Sequence, residues 1–373
     1  MLVLASIVVA AWVYLAVAHG RFWQSGPELP HHVTPLRMAR VAVVIPARDE
    51  AEHIEHTLCA LLQQDYRWPF RVILVDDNST DGTGDIARDL AAEDPRLTVV
   101  QGQPLPAGWT GKMWAVSQGL EYAPEADYVL LTDADIVHAS SHVAQLVAAA
   151  QAGNYDLVSE MVRLRCKTLP ERFAIPAFVF FFAMLYPFAR VADKRSKVAA
   201  AAGGTMLLSQ AALQRIDGVS RIRAELIDDC ALAREVKRGG YATWLGHATR
   251  ATSLRKYPHF ADIWQMIART AYVQLQYSPL LLLGTVAGML LLYAVPLALA
   301  LHTRGITMWC GAATWVLMAA LFQPILRRYQ QPPLWGMALP LIAMFYMAAT
   351  IGSAIRFYRG KGGQWKNRTY PAT

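Results

Sequence analysis

Residues Tyr128 to His138 read YVLLTDADIVH, and the fold follows from how this stretch is read. Tyr128 to Thr132 is a short apolar run, which predicts a buried strand. Two carboxylates one residue apart, Asp133 and Asp135, stand at its end. Like charges beside a buried strand end are costly unless something offsets their repulsion. A hard divalent cation does so, because Mg²⁺ or Mn²⁺ takes one or two carboxylates together with substrate phosphate oxygens. A bare Asp-x-Asp is more often a solvated loop. Here the apolar strand before it, and a second acidic strand end at Asp76–Asp77, favour a site.

Working outward, VAVVIP, RVILVDD, LTVVQG and YVLLTDAD recur about every 25 to 30 residues from position 41, the rhythm of strand–helix–strand units. Between them, HIEHTLCALLQQ and TDGTGDIARDLAAED carry apolar residues at helical spacing. This alternation predicts an α/β domain with a mostly parallel, Rossmann-like sheet. Ligands of such sheets bind outside the carboxyl ends of the strands, where the acidic pairs lie. Residues 156–164 and 198–209 read as further strands.

The 373 residues are 54% hydrophobic with a formal charge of +7. The apolar excess is clustered. It predicts a membrane helix over 1–19, a linker over 20–40, a catalytic domain over 41–279 and membrane helices within 280–355 (280–302, 306–326 and 333–355), followed by a basic tail over 356–373. The first run lacks preceding basic residues and a small-residue cleavage site, so it reads as an uncleaved anchor. The aromatic stretch 173–189 holds Pro176 and Pro187 and reads as an interfacial segment. The basic excess suits an anionic membrane surface better than nucleic acid, since no basic stripe with interleaved aromatics stands out. Four scattered cysteines form no CxxC pair and no disulfide framework.

Two further constellations bear on chemistry. GWTGKMWA places Lys112 at a helix start, where it could neutralise a diphosphate. IDDCAL places Asp228 and Asp229 at another helix start, where a carboxylate either caps the helix or accepts a proton from a hydroxyl.

VVIPARDE, VDDNSTDGT, TDAD, AAGGTMLLS and IDDCAL resemble, in order and spacing, the second family of inverting A-type glycosyltransferases over about 41–275. The membrane plan, GWTGKMWA and the terminal WKNRTY resemble the hopene-associated subgroup. The resemblance implies that Ala47 and Glu50 border the nucleotide, Asp77 holds its base, Lys112 lies near its diphosphate and Asp133 near its ribose. It implies Asp135 as ligand of Mg²⁺ or Mn²⁺, Gly203 and Gly204 as the acceptor-site floor, and Asp229 as catalytic base. Asp228 stands where the family more often has glutamate. The implied partners are a nucleotide sugar, UDP-linked, a lipid acceptor and the membrane. The implied place is the inner membrane, with the catalytic domain facing the cytosol.

Processive relatives carry Gln-x-x-Arg-Trp after the base. Here Gln265 and Arg269 are one residue further apart and Thr270 replaces the tryptophan, so a single transfer is expected. Arg269 contacts either the diphosphate or lipid phosphate. A metal-dependent hydrolase, a nucleotidyltransferase and a degenerate membrane scaffold are the competing readings. His138, the histidine nearest Asp135, is expected to be a solvated surface residue. Topology holds a conflict. Three spans after a cytosolic domain would export the basic tail, against the positive-inside rule, so a cytosolic tail and one non-crossing segment are expected.

Overall fold

The structure is a computed structural model that describes residues 1–31 and 33–360, with the backbone of 364–365 and 368–369. Most of the expected basic tail, including Lys361 and Lys366, lies outside the described residues.

An apolar helix α1 (Leu2–Val17) precedes the domain. Strand β1 (Val41–Ala47) is buried along its whole length. It is followed by α2 (Ile54–Leu62), β2 (Phe70–Asp76), α3 (Thr83–Glu93), β3 (Leu97–Gln101), α4 (Gly111–Glu121) and β4 (Tyr128–Leu131). These strands are continuous runs of β-branched and aliphatic residues because helices cover both faces of the sheet. β1 pairs in parallel with β2 and β4, and β2 with β3, so their carboxyl ends share one edge.

The second half of the sheet is mixed. β5 (Ile136–His138), α5 (His142–Gly153), β6 (Leu157–Arg163), α6 (Leu169–Leu185), α7 (Phe188–Ala192), β7 (Met206–Ser209), α8 (Gln210–Arg215), α9 (Asp228–Arg238) and β8 (Thr243–Ser253) follow. The order across the eight strands is β3-β2-β1-β4-β7-β6-β8-β5. β7 runs antiparallel to both β4 and β6, β5 runs antiparallel to β8, and β6 and β8 are parallel. The parallel character expected from the sequence therefore belongs mainly to the half formed by β3, β2, β1 and β4. Of the strand expected over 198–209, only Met206–Ser209 pairs; residues before it form the extended approach and turn that carry Gly203.

The remainder is helical: α10 (Phe260–Gln274), α11 (Pro279–Met289), a π turn (Leu290–Ala294), α12 (Val295–His302), α13 (Gly305–Arg328), a 3-10 segment (Pro333–Ala338) and α14 (Leu339–Tyr358). Pro279–His302, Gly305–Arg328 and Pro333–Tyr358 are long and apolar enough to cross a membrane. α6 starts with a capping box, Thr168 and Glu171 satisfying each other's backbone N–H groups. Its Phe180 is fully buried in one cluster with Trp12, Tyr293, Phe322 and Ile342. One hydrophobic core thus joins α6 of the α/β domain to the apolar helices.

Helix α4 approaches the sheet closely at Gly119, where an added Cβ would lie 2.4 Å from Val44 Cγ1 and 3.2 Å from Val75 Cγ2. Both valines are stiff and fully buried. Gly119→Val is expected to cost at least about 2 kcal/mol of stability through overpacking, read as a lowered melting temperature. An unchanged melting temperature would contradict this helix–sheet approach.

Candidate active site

The edge where β1, β2 and β4 end opens into a cavity of about 590 Å³. Lys112, in the first turn of α4, projects into it. Its Nζ lies 2.9 Å from Asp133 Oδ1 and 3.0 Å from Asp228 Oδ2. One ammonium thus bridges the end of β4 and the start of α9. Burial alone would lower the Lys112 pKa, but the two carboxylates hold it raised. Asp133 is raised above the usual carboxylate range by burial and by the charges of Asp135 and Asp228, with Lys112 opposing.

Asp229 is held differently. Its Oδ2 accepts the Gly203 N–H at 3.0 Å and its Oδ1 accepts its neighbour Cys230 N–H at 2.7 Å. Burial, then the Asp228 charge, push its pKa up to about 6, against the opposing pull of Lys112. A carboxylate so placed is ionised at neutral pH yet more basic than an ordinary aspartate. Gly203 is the focal point of the site. A Cβ there would lie 3.4 Å from Lys112 Nζ, 3.6 Å from Asp229 Oδ2 and 3.7 Å from Asp133 Oδ2. Gly204 serves packing, since a Cβ there would lie 2.8 Å from Val162 Cγ1.

Asp135 has different partners from Asp133. Its Oδ2 accepts from Ser253 Oγ at 2.8 Å and from Arg255 Nε at 3.3 Å, and Arg255 Nη2 donates to Glu50 Oε1 at 2.7 Å. Arg255 thereby ties the end of β8 to the loop after β1. Gln265 and Arg269, on α10, line the same cavity. Ala47 and Asp77 do not share this exposure. Ala47 is buried, and its carbonyl accepts the Asp77 N–H at 2.8 Å. Asp77 is 2% exposed and pairs with Arg48 at 3.6 Å. Their neighbours Pro46 and Arg48 are the residues that line the cavity there.

Among the described residues, no three His, Cys, Asp or Glu side chains come together as a metal cage. Asp135 offers carboxylate oxygens, one of them already held by Ser253 and Arg255, and such oxygens suit a hard cation that draws its remaining ligands from phosphate. Asp135 therefore fits a Mg²⁺ or Mn²⁺ bound with a diphosphate and does not fit a metal held by protein alone.

Sequence reasoning missed Arg255, whose partner Glu50 is 205 positions away. Its only local signal is a basic residue just beyond the end of β8. The expectation for His138 was wrong. His138 is 1% exposed and belongs to a buried chain: Thr132 Oγ1 to His138 Nε2 at 2.9 Å, His138 Nδ1 to His142 Nδ1 at 2.7 Å, and His142 Nε2 to Glu160 Oε2 at 2.6 Å. Burial pushes Glu160 up to about 8 and His142 down to about 3. The ring faces inward because β5, which carries it, is paired with β8 and covered by α5.

Residues 42–217 match the family described as Glycosyl transferase family 2. Over those residues, a little under half of the chain, it is similar to that family. Two curated relatives share parts of it. The 4,4'-diaponeurosporenoate glycosyltransferase of Staphylococcus haemolyticus is 30% identical over 112 residues, 30% of this chain and 28% of that protein. The undecaprenyl-phosphate 4-deoxy-4-formamido-L-arabinose transferase of Aeromonas hydrophila is 36% identical over 131 residues, 34% of this chain and 37% of that protein. The chain thus spans about a third of the length of these relatives. A solved mannosyltransferase of Pyrobaculum calidifontis, in complex with GDP-Man and Mn²⁺, aligns at a TM-score of 0.57 and 21% identity over 95% of this chain and 97% of that one. The transferase domain therefore has the A-type glycosyltransferase fold, with apolar helices appended.

Lys112→Met removes the one cation between Asp133 and Asp228. It is expected to destabilise the transferase domain by roughly 1–3 kcal/mol, the range for a partner lost from a partly buried polar pair. Asp228→Asn in the same chain should restore part of that loss. Melting curves of the single and double variants check this, and additive losses would contradict the bridge.

Proposed function

We propose that the chain transfers one sugar from a nucleotide sugar to a lipid hydroxyl at a membrane surface, inverting the anomeric carbon. The observation that carries this reading is the position of Asp229. A half-buried carboxylate, its pKa pushed up to about 6 by burial and the Asp228 charge, lines a cavity with both charged and apolar residues. Arg48, Lys112, Arg255 and Arg269 line it beside its carboxylates and supply cations suited to a diphosphate. Phe178, Phe182, Met266 and Leu226 supply an apolar lining, suited to a lipid.

In this reading Asp229 takes the proton of the acceptor hydroxyl as its oxygen attacks the anomeric carbon. The bond from that carbon to the diphosphate oxygen breaks, and the nucleoside diphosphate leaves. The Gly203 and Cys230 N–H groups orient Asp229, and Lys112 keeps it ionised. Lys112 and Arg269 stabilise charge gathering on the diphosphate. Glu50, held by Arg255, borders the nucleotide, Asp77 and Ala47 shape the base end from beneath, and Asp133 meets the ribose. Asp135 would hold Mg²⁺ or Mn²⁺, which when bound supplies Lewis-acid stabilisation of the leaving diphosphate. Thr270 in place of the polymer-holding tryptophan favours a single transfer.

The donor nucleotide we propose is UDP, with GDP next because the Pyrobaculum structure holds GDP-Man. The acceptor is a hopanoid by the resemblance of GWTGKMWA and WKNRTY. A carotenoid acid or a polyprenyl phosphate is the second reading, drawn from the names of the two relatives. Arg356 on the cavity wall favours an anionic headgroup.

Nucleotide release from UDP-sugars and GDP-mannose by the detergent-purified protein, with Mg²⁺ or Mn²⁺ and a polar-lipid extract, tests this. Release should require metal and lipid, and Asp229→Asn should lower it by roughly 10²–10⁴-fold. Because the ionised base is the active form, the rate should fall as pH drops through about 6. Turnover undiminished in Asp229→Asn would remove it as the base, and turnover of no donor would favour the degenerate scaffold.

A further inference from the structure

Pro333–Tyr358 has 26 residues and the composition of a crossing helix. Its contacts trace another path. α12 and α13 pack antiparallel: a Cβ on Gly311 would lie 2.6 Å from Ala300 N and 2.7 Å from Leu299 Cβ. The tip of this hairpin is therefore Thr303–Arg304, and the helices that begin at Pro279 and end at Arg328 both run from it toward its other end. That end is fixed to the transferase domain. Arg328 donates to Ala248 O at 3.3 Å and to Ser25 Oγ at 2.8 Å, and it pairs with Glu28.

After Arg328 the chain folds back along α13. Gln323 Nε2 donates to Pro333 O at 3.0 Å, and Trp315 Nε1 donates to Met337 O at 3.0 Å. Trp315 lies 13 residues before Arg328, about 20 Å along the helix at ~1.5 Å per residue. α14 then climbs back to the domain. Tyr346 Oη donates to Ala174 O at 2.9 Å, and Ser353 Oγ donates to Ala268 O at 2.5 Å. The last turn reaches the level of Pro279: Phe357 stacks on Tyr277 with centroids 4.5 Å apart, and Tyr358 Oη lies 2.9 Å from Tyr272 Oη. Arg356 lines the same cavity as Asp229.

We infer that Pro333–Tyr358 does not cross the membrane: it dips into the leaflet beside the transferase domain and returns, so that of the three long apolar helices only the two of the hairpin 279–328 cross, and the tail leaves on the domain's side. Irregular backbone at membrane depth must be satisfied within the protein. The side chains of Gln323 and Trp315 do this for the 3-10 turn. The path also places Arg356 and Arg359 on the domain's face, where an anionic cytoplasmic leaflet attracts them. The partner of this surface is that one leaflet, which would also supply the acceptor. The inference goes beyond the transferase reading and does not depend on turnover.

Single cysteines at Glu125, Arg304 and Arg359, placed in the full chain in cell membranes, test it with a membrane-impermeant maleimide. Wild type, with Cys59, Cys166, Cys230 and Cys310, supplies the background. Glu125→Cys and Arg359→Cys should label from one face and Arg304→Cys from the other. Arg359→Cys labelling with Arg304→Cys would overturn the inference, as would Arg304→Cys labelling with Glu125→Cys. A reporter fused after Thr373 reads the tail's side without any substitution. It should report the face of Glu125, and the opposite face would overturn the inference.

Discussion

A single ammonium, that of Lys112, stands between the carboxylates of Asp133 and Asp228 and holds three separate elements at one point. α4, the end of β4 and the start of α9 all bring charge to the same edge of the sheet. Without the lysine, Asp133, Asp135, Asp228 and Asp229 would repel one another beside a buried strand end. With it, Asp228 stays close enough to raise Asp229 and the whole group remains ordered. A Cβ at Gly203 would touch this cluster at ordinary contact distance. The geometry of the cavity is therefore set by charge balance as much as by packing.

The second constraint is the shared core. Phe180 and Ile175 of α6 are fully buried with Met318 and Ile325 of α13 and Ala349 of α14. A domain built around a polar site and a set of long apolar helices cannot move far apart when their side chains interdigitate in this way. The consequence is positional. α6 and α10 carry the apolar wall of the cavity, and the same helices pack against α14. The apolar lining therefore stands in the same cavity as Asp229.

Much of this was legible in the sequence because it rests on local patterns. β1, β2 and β4 are continuous apolar runs, as strands covered on both faces must be. The three long apolar helices follow from length and composition. Lys112, Asp133, Asp228 and Asp229 stood out as charges at element ends, and the structure brings those four together. What was not legible depends on long-range pairing. β8, TWLGHATRATS, is too polar to announce an eleven-residue strand, and it is held by β6 and β5 on either side. Arg255 gains its role from Glu50 and Asp135, each far away in the chain. His138 was misread because its burial depends on α5 and on Glu160, and no neighbouring residue reports that. Asp77 and Ala47 sit where expected along the chain but beneath the surface, since the turn after β2 folds Asp77 onto Arg48.

The central claim is that the acidic edge, neutralised by Lys112 and Arg255, is a diphosphate site completed by a cation at Asp135. Calorimetric titration of UDP into the purified protein, with and without Mn²⁺, tests it most directly. The account predicts binding that requires Mn²⁺, is lost in Asp135→Asn and is retained in Asp229→Asn. Binding that is indifferent to the metal, or unchanged in Asp135→Asn, would contradict it.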